Sequence, residues 1–294
     1  MYSKSLWVRV TKREPCPICG RDHFCTRSAD GKLARCTKVE SSWTSETRDG
    51  SLAWIHRLSE PLPEVKPQEE KPKPKKDATK IAEKCFQDRK AEDARKSLSE
   101  TLGVSEKTLE DLYVGVGWDR NGQQWSAFPS RDSKGIIIGI TRRYPTGEKK
   151  TLYGTSNAGV FCKQFWWNGN GTVYVVEGPS DVAALIDAGL AALGRPSNIG
   201  GVLVLAEYLK RHVPGRIIVI GENDTKPEKR GTIDSCKTTC TGCLHCAPGH
   251  KGAIITASRL SKNLKRKVEV VMPPDEYKDA RQWWIGNQLK GLAR

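Results

Sequence analysis

Two short stretches decide how this chain is read: VYVVEGPSD at 173–181 and IIVIGEND at 217–224. Each is a run rich in β-branched residues that stops on carboxylates, and an open parallel sheet presents its ligand-handling groups at its strand C-termini. The four acids Glu177, Asp181, Glu222 and Asp224 are therefore expected at one sheet edge. Carboxylates gathered in this way repel one another unless a cation lies among them, and hard oxygen ligands in a phosphate-handling site suit Mg²⁺. The implied chemistry is metal-dependent and acts on a phosphodiester or a nucleotide.

Working outward, Gly178 permits a tight strand-to-helix turn and Pro179 suits the first position of the helix that follows. Asp181 then falls in the first helical turn, near Glu177; taken alone, it also reads as a helix-start carboxylate. Alternate residues of a strand project the same way, so Glu222 and Asp224 share one face of their loop. From Thr172 onward the order is strand, helix, short strand, helix, strand, insertion, helix, strand. Strands alternating with helices predict a parallel α/β sheet.

Upstream the pattern changes. Residues 81–102 read as one helix stopped by Gly103, and Ser105 reads as the N-cap of a second, short helix with Val104 and Leu109 as its hydrophobic staple. From 113 to about 165 come short β-like pieces (WSAFPS, GIIIGITRRY, KTLYG) between Asp, Gly and Pro turns. The segment 59–80, SEPLPEVKPQEEKPKPKKDATK, is rich in Pro, Lys and Glu and too poor in apolar residues to bury a core, which predicts a tether.

The chain has 294 residues and a formal net charge of +15, a balance that favours a polyanionic partner, with nucleic acid the natural one. No apolar run approaches a membrane span and the N-terminus lacks a secretory h-region, so a cytoplasmic protein without membrane association is expected. Ten cysteines in a reducing compartment read as metal ligands rather than disulfides. Cys16-Pro-Ile-Cys19-Gly is a C-x-x-C turn, and Cys25 and Cys36 flank an Asp-Gly hairpin, as in a zinc ribbon; His23 competes with Cys25 for the fourth position. Arg13, Arg21, Lys32 and Arg35 around it suit contact with nucleic acid. The second set, Cys236, Cys240, Cys243 and Cys246, is spaced C-x3-C-x2-C-x2-C, with His245 and His250 as spare ligands; zinc is preferred there and an iron–sulfur cluster is the alternative. Cys85 and Cys162 read as core residues. The pairs Trp166-Trp167 and Trp283-Trp284 either stack on bases or, for at least one member of each, pack in the core.

VVEGPSDV resembles the first motif of the Toprim domain, and GEND stands in the place of its D-x-D motif. FPSRDSKG at 128–135 resembles the FP-x-RD-x-x-G signature of the bacterial DnaG-type primase core, and KTLYGTSNAGVF at 150–161 loosely resembles the basic segment that follows it. With the CPICG ribbon in front, the resemblance spans most of the chain in the family's own order. It implies an α/β protein with an α+β primase core: a small separate zinc ribbon at 1–58, a linker at 59–80, a mainly β and helical subdomain at 81–168, and a Toprim parallel sheet flanked by helices at 169–294, with a cysteine-rich insertion at 225–249.

The resemblance further implies that Glu177 is the principal catalytic carboxylate and that Asp181, Glu222 and Asp224 support divalent metal, Mg²⁺ or Mn²⁺. Arg131, Arg142, Arg143, Lys149 and Lys150 fall where such enzymes hold template or nucleotide phosphates, although a solvated hairpin face would look the same. The implied reaction is synthesis of short RNA primers on single-stranded DNA from ribonucleoside triphosphates, with a separate helicase as partner and a mobile element as a fitting source for so short a form. A Toprim nuclease and a catalytically degenerate nucleic-acid-binding protein are the rivals. Two departures stand out: Glu222 occupies a position where Asp is usual, and the insertion follows directly on GEND.

Overall fold

In the computed structural model, residues 7–47, 52–64, 76–163, 171–212, 215–232 and 236–286 are described. The chain divides into two units, one of residues 1–73 with 224–251 and one of 74–223 with 252–294. The Trp166-Trp167 pair and half of the charged tether, 65–75, lie outside the described residues.

In the first unit, β1 (Trp7–Arg9), β2 (Thr26–Ser28), β3 (Leu33–Cys36), β4 (Trp43–Glu46) and β5 (Leu52–Arg57) form an antiparallel sheet in the order β1-β2-β3-β5-β4. The β2–β3 hairpin turns at Asp30-Gly31, where Asp30 accepts from Ser28 Oγ and from the Lys32 amide. Gly31 has φ 70°, and a Cβ there would lie 1.9 Å from the Leu62 carbonyl oxygen, so only glycine fits. The cluster around the cysteines is Val10, Val39 and three of the cysteines themselves, and Ala34, Ala53 and Trp54 are the other buried apolar residues of the sheet strands, a small apolar store for so many residues.

The second unit opens with α1 (Ala78–Phe86), α2 (Ala91–Leu102) and α3 (Glu106–Asp111). The single helix expected over 81–102 is thus two helices. Asp77 caps α1 by accepting from the Lys80 amide, which starts the helix three residues inside the stretch read as tether. Asp88 then accepts from the Lys90 amide and offers the backbone a turn in place of helix, which separates α1 from α2. The later signals hold: Gly103 ends α2 in the left-handed conformation, Ser105 caps α3 through the Thr108 amide, and Val104 and Leu109 are buried in one cluster.

An antiparallel sheet follows, β6 (Gly115–Trp118), β7 (Gln124–Arg131), β8 (Ile137–Arg143) and β9 (Lys149–Thr151) in chain order. It is spliced to the next sheet by residues 160–161. Val160 exchanges two backbone hydrogen bonds with Arg131, and Phe161 exchanges two with Gly194.

The parallel sheet contains β10 (Thr172–Glu177), β11 (Ala191–Arg195), β12 (Arg216–Ile220) and β13 (Glu269–Val271) in the order β11-β10-β12-β13. Between them run α4 (Pro179–Asp187), α5 (Val202–His212) and α6 (Pro248–Leu264), and α7 (Ala280–Ile285) comes last. Tyr174, Val176, Ile218 and Ile220 pack with α4 and α7, while Val173, Val175, Ile217 and Val219 pack with α5 and α6. Burial on both faces explains why VYVV and IIVI are unbroken apolar runs rather than alternating ones. The chain moves from β10 to β11 on one side and then returns to β12 on the other, so the switch point lies between the C-termini of β10 and β12. This bears out the expected fold class. No described helix is long and apolar enough to cross a membrane.

Candidate active-site cleft and metal centres

At that switch point the second unit holds a cleft of about 420 Å³. Glu177, at the end of β10, and Glu222, two residues past β12, line it from the sheet; Asp181 lines it from the first turn of α4. The turn between Glu177 and α4 depends on Gly178, whose φ of 79° and ψ of 168° belong to a region that other residues essentially do not enter. The loop bearing Glu222 is pinned by its neighbour Asn223, whose side-chain amide donates to the carbonyls of Pro273, Pro274 and Tyr277 while its backbone N–H donates to Lys278.

Asp181 is only 4 % exposed and accepts from the Arg281 amide at 3.0 Å. Burial, reinforced by the nearby Asp279 carboxylate, pushes its pKa up to about 7. A cation entering the cleft would relieve that opposition to ionisation, and hard carboxylate donors suit Mg²⁺ or Mn²⁺. Asp224 belongs to the first unit, where its carboxylate accepts from the Gly249 amide in the first turn of α6 at 2.6 Å. Among the described residues, three or more metal-ligating groups gather within 4.8 Å of one another only in the two cysteine sets; the cleft carboxylates line one space without forming such a group.

Cations line the same cleft. They are Arg143 from β8, Lys149 and Lys150 from β9, Lys278 from the loop before α7 and Arg281 from its first turn, with Asp279 between the last two. Lys149 Nζ donates to Ser180 Oγ at 3.3 Å. Burial and the neighbouring Arg281 lower the Arg143 pKa, which Asp181 partly counteracts. Two of the expected phosphate-binding residues point elsewhere. Arg142 alternates away from Arg143 along β8, and its guanidinium stands over Trp125 and Tyr144 at 6.0 and 5.7 Å. Arg131 is 6 % exposed and donates to the Gly135 carbonyl in its own hairpin turn, at the bulge of β7.

Sequence reading passed over Lys278, Asp279, Arg281 and Arg195. The first three sit in PPDEYKDARQ, a cluster of charge just before a short helix and far along the chain from EGPSD. Arg195 is wholly buried at the end of β11, directly paired in register with Glu177 on β10. Its Nη2 lies 3.9 Å from Glu177 Oε2, and its Nη1 donates to the Asn198 carbonyl and to Thr256 Oγ1. A buried guanidinium needs such partners, and it places a positive charge beside the Glu177 carboxylate. Trp283 is buried and Trp284 packs beside it, so this pair belongs to the core. Cys85 and Cys162 are core residues as expected.

In the first unit, Cys16, Cys19, Cys25 and Cys36 bring their four Sγ atoms within 4.8 Å of one another. His23 is largely exposed beside Asp22, so Cys25 supplies the fourth donor. The Thr37 amide donates to Cys25 Sγ, and the Lys38 and Val39 amides donate to Cys36 Sγ at 3.4 and 3.3 Å, a shell that favours thiolates. The donor set and shape fit one tetrahedral zinc ion with no open position. The second set, Cys236, Cys240, Cys243 and Cys246, is gathered to the same limit.

No family model and no curated protein matches the sequence. Among solved structures, the fold is similar to the primase fragment of the bacteriophage T7 primase-helicase protein, with 15% identity over 98% of both chains and a TM-score of 0.48. It is also similar to the DnaG catalytic core, with 16% identity over 73% of this chain and 75% of that one and a TM-score of 0.49. The DnaG primase catalytic domain bound to single-stranded DNA gives 15% identity, 73% and 76% coverage and a TM-score of 0.48.

Proposed function

We propose that the protein is a DNA primase of the cytoplasm that makes short RNA primers on single-stranded DNA. The observation that carries this reading is the cleft itself, lined by Glu177, Asp181 and Glu222 together with Arg143, Lys149, Lys278 and Arg281. Carboxylates and cations gathered in one cleft suit a triphosphate held with divalent metal, and the sequence motifs around the same residues point to the same reaction. Glu177 and Glu222 would hold Mg²⁺ or Mn²⁺, and the motif reading adds Asp224 to that set. Bound metal would lower the pKa of the attacking hydroxyl and neutralise charge on the phosphates.

In the reaction, a ribonucleotide 3′-oxygen forms a bond to the α-phosphorus of the incoming triphosphate, and pyrophosphate leaves. Arg143, Lys149 and Lys278 hold the triphosphate, Arg195 places a positive charge beside Glu177, and Asp181 seats the start of α7 through the Arg281 amide. The zinc ribbon, rich in Arg and Lys, contacts the template, and a separate helicase supplies single-stranded DNA. The test is incubation with single-stranded DNA, labelled ribonucleotides and Mg²⁺ or Mn²⁺. New short RNA supports the proposal; cleavage of the DNA, or binding with no product, contradicts it.

A further inference from the structure

The segment 225–249 begins where the metal-site loop should turn directly into a helix, and the proposed reaction gives it no task. Its apolar content is small: Leu244 is its one large aliphatic side chain that is fully buried among the described residues. Its turns are nonetheless closed. The Lys226 amide donates to the Cys246 carbonyl, the Gly231 amide to the Cys236 carbonyl and the Ala247 amide to the Cys243 carbonyl. Cys236 and Cys246 are buried at 0 and 1 % exposure, and the Cys243–Cys246 and Cys240–Cys246 Sγ separations are 3.5 and 3.6 Å.

Those separations distinguish a single ion from a cluster. Zinc–sulfur bonds of ~2.3 Å at tetrahedral angles place sulfurs about 3.8 Å apart, so four thiolates this close match one ion. The first cluster, with separations of 3.7 and 3.9 Å, has the same size. A four-iron cluster ties each thiolate to a different iron and would hold them farther apart.

The insertion also meets the ribbon within the first unit. A groove runs between Lys38-Val39-Glu40 on one side and residues 239–245 on the other, and Lys251 Nζ lies 3.3 Å from Glu40 Oε2 across it. The ribbon wall is the strip whose amides donate to Cys36 Sγ, and the other wall carries Cys240 and Cys243. Each wall is therefore ordered by its own thiolate cluster. We propose that Cys236, Cys240, Cys243 and Cys246 hold a second structural zinc ion, and that the insertion so clasped is the dock for the N-terminal ribbon. Such a dock roots the ribbon, within the first unit, in the segment that begins at Asp224 and in the first turn of α6. This inference is independent of the reaction proposed above.

The test measures metal content and hydrogen exchange on the full chain. Purified protein is expected to carry two zinc ions and no iron, and Cys240→Ser/Cys243→Ser protein one zinc. In that variant the amides of Lys38–Glu40 and of 236–247 should exchange at least about 10-fold faster while those of β3 stay protected. A single zinc in the unaltered protein, or iron with visible absorption, overturns the metal assignment. Unchanged exchange at Lys38–Glu40 overturns the dock. Should the double variant fail to fold, Glu40→Lys and Lys251→Glu serve instead. Each alone should speed exchange at the groove with both zinc ions retained, the pair together should restore it, and no response in any of the three contradicts the proposal.

Discussion

Around the cleft, β10 and β12 bury Val, Ile and Tyr side chains on both faces, and the carboxylates ride on the ends of strands that hydrocarbon already holds in place. Around the cysteines, the core is two valines, Ile18 and the sulfur ligands themselves, with Trp54 and two alanines buried on the sheet. One unit positions its functional groups by the hydrophobic effect and the other must do so by metal coordination, because small domains with little apolar area to bury need a staple. The contrast shows where each is vulnerable: the cleft to changes in charge, the cysteine-rich unit to loss of the zinc its thiolates are built to hold.

The largest effect should come from removing zinc. Chelation, or Cys36→Ser, forfeits binding energy on the order of 10 kcal/mol, more than so small a core can replace. Hydrogen exchange should show β1–β5 losing protection while β10 and β12 keep theirs, and equal loss in both would erase the distinction between the units. Next comes Arg195→Met, which leaves the Glu177 carboxylate without its buried positive charge. Turnover should fall about 10- to 100-fold with unchanged affinity for single-stranded DNA, and Arg195→Lys should recover part of it. A variant that loses DNA affinity instead would make Arg195 merely structural.

Asp181→Asn sharpens the comparison further. Because burial raises the Asp181 pKa, ionising it opposes folding: the cost is absent below the ordinary carboxylate range, grows as pH rises above about 4, and is complete above about 7. The variant keeps the acceptor for the Arg281 amide, so it should be more stable than the unaltered protein at pH 8, by on the order of 1–3 kcal/mol, and equal to it at pH 4. Thermal melts at the two pH values read this directly, and a variant less stable at pH 8 would refute it. The smallest effect separates neighbours on β8. Arg143→Ala should weaken nucleotide binding roughly 3- to 10-fold, whereas Arg142→Ala should leave binding intact and cost about 1 kcal/mol of stability through its lost aromatic contacts.

Much of this was legible in the residues. The two-faced apolar runs, the Gly178-Pro179 turn and the C-x-x-C knuckle are local patterns, and each announces its element because its own neighbours determine it. What stayed hidden depends on contacts far apart in sequence. Arg195 meets Glu177 only through strand pairing, and Lys278 and Arg281 reach the cleft because Asn223 ties their loop to the end of β12 and Asp181 accepts from the Arg281 amide. Strand alternation was available for Arg142 and Arg143 but not the knowledge of which face met the cleft. The break between α1 and α2 turned on one Asp88 hydrogen bond, a margin of about 1 kcal/mol that helical spacing does not register.

The central claim is that the carboxylate at the end of β10 acts in nucleotidyl transfer, and Glu177→Gln tests it most directly. The measurement is incorporation of α-labelled ribonucleotide on single-stranded DNA with saturating Mg²⁺, alongside DNA affinity at the same salt concentration. The account predicts a loss of roughly 10³-fold or more in incorporation with DNA affinity within a factor of about two. Primer synthesis undiminished in Glu177→Gln would contradict it.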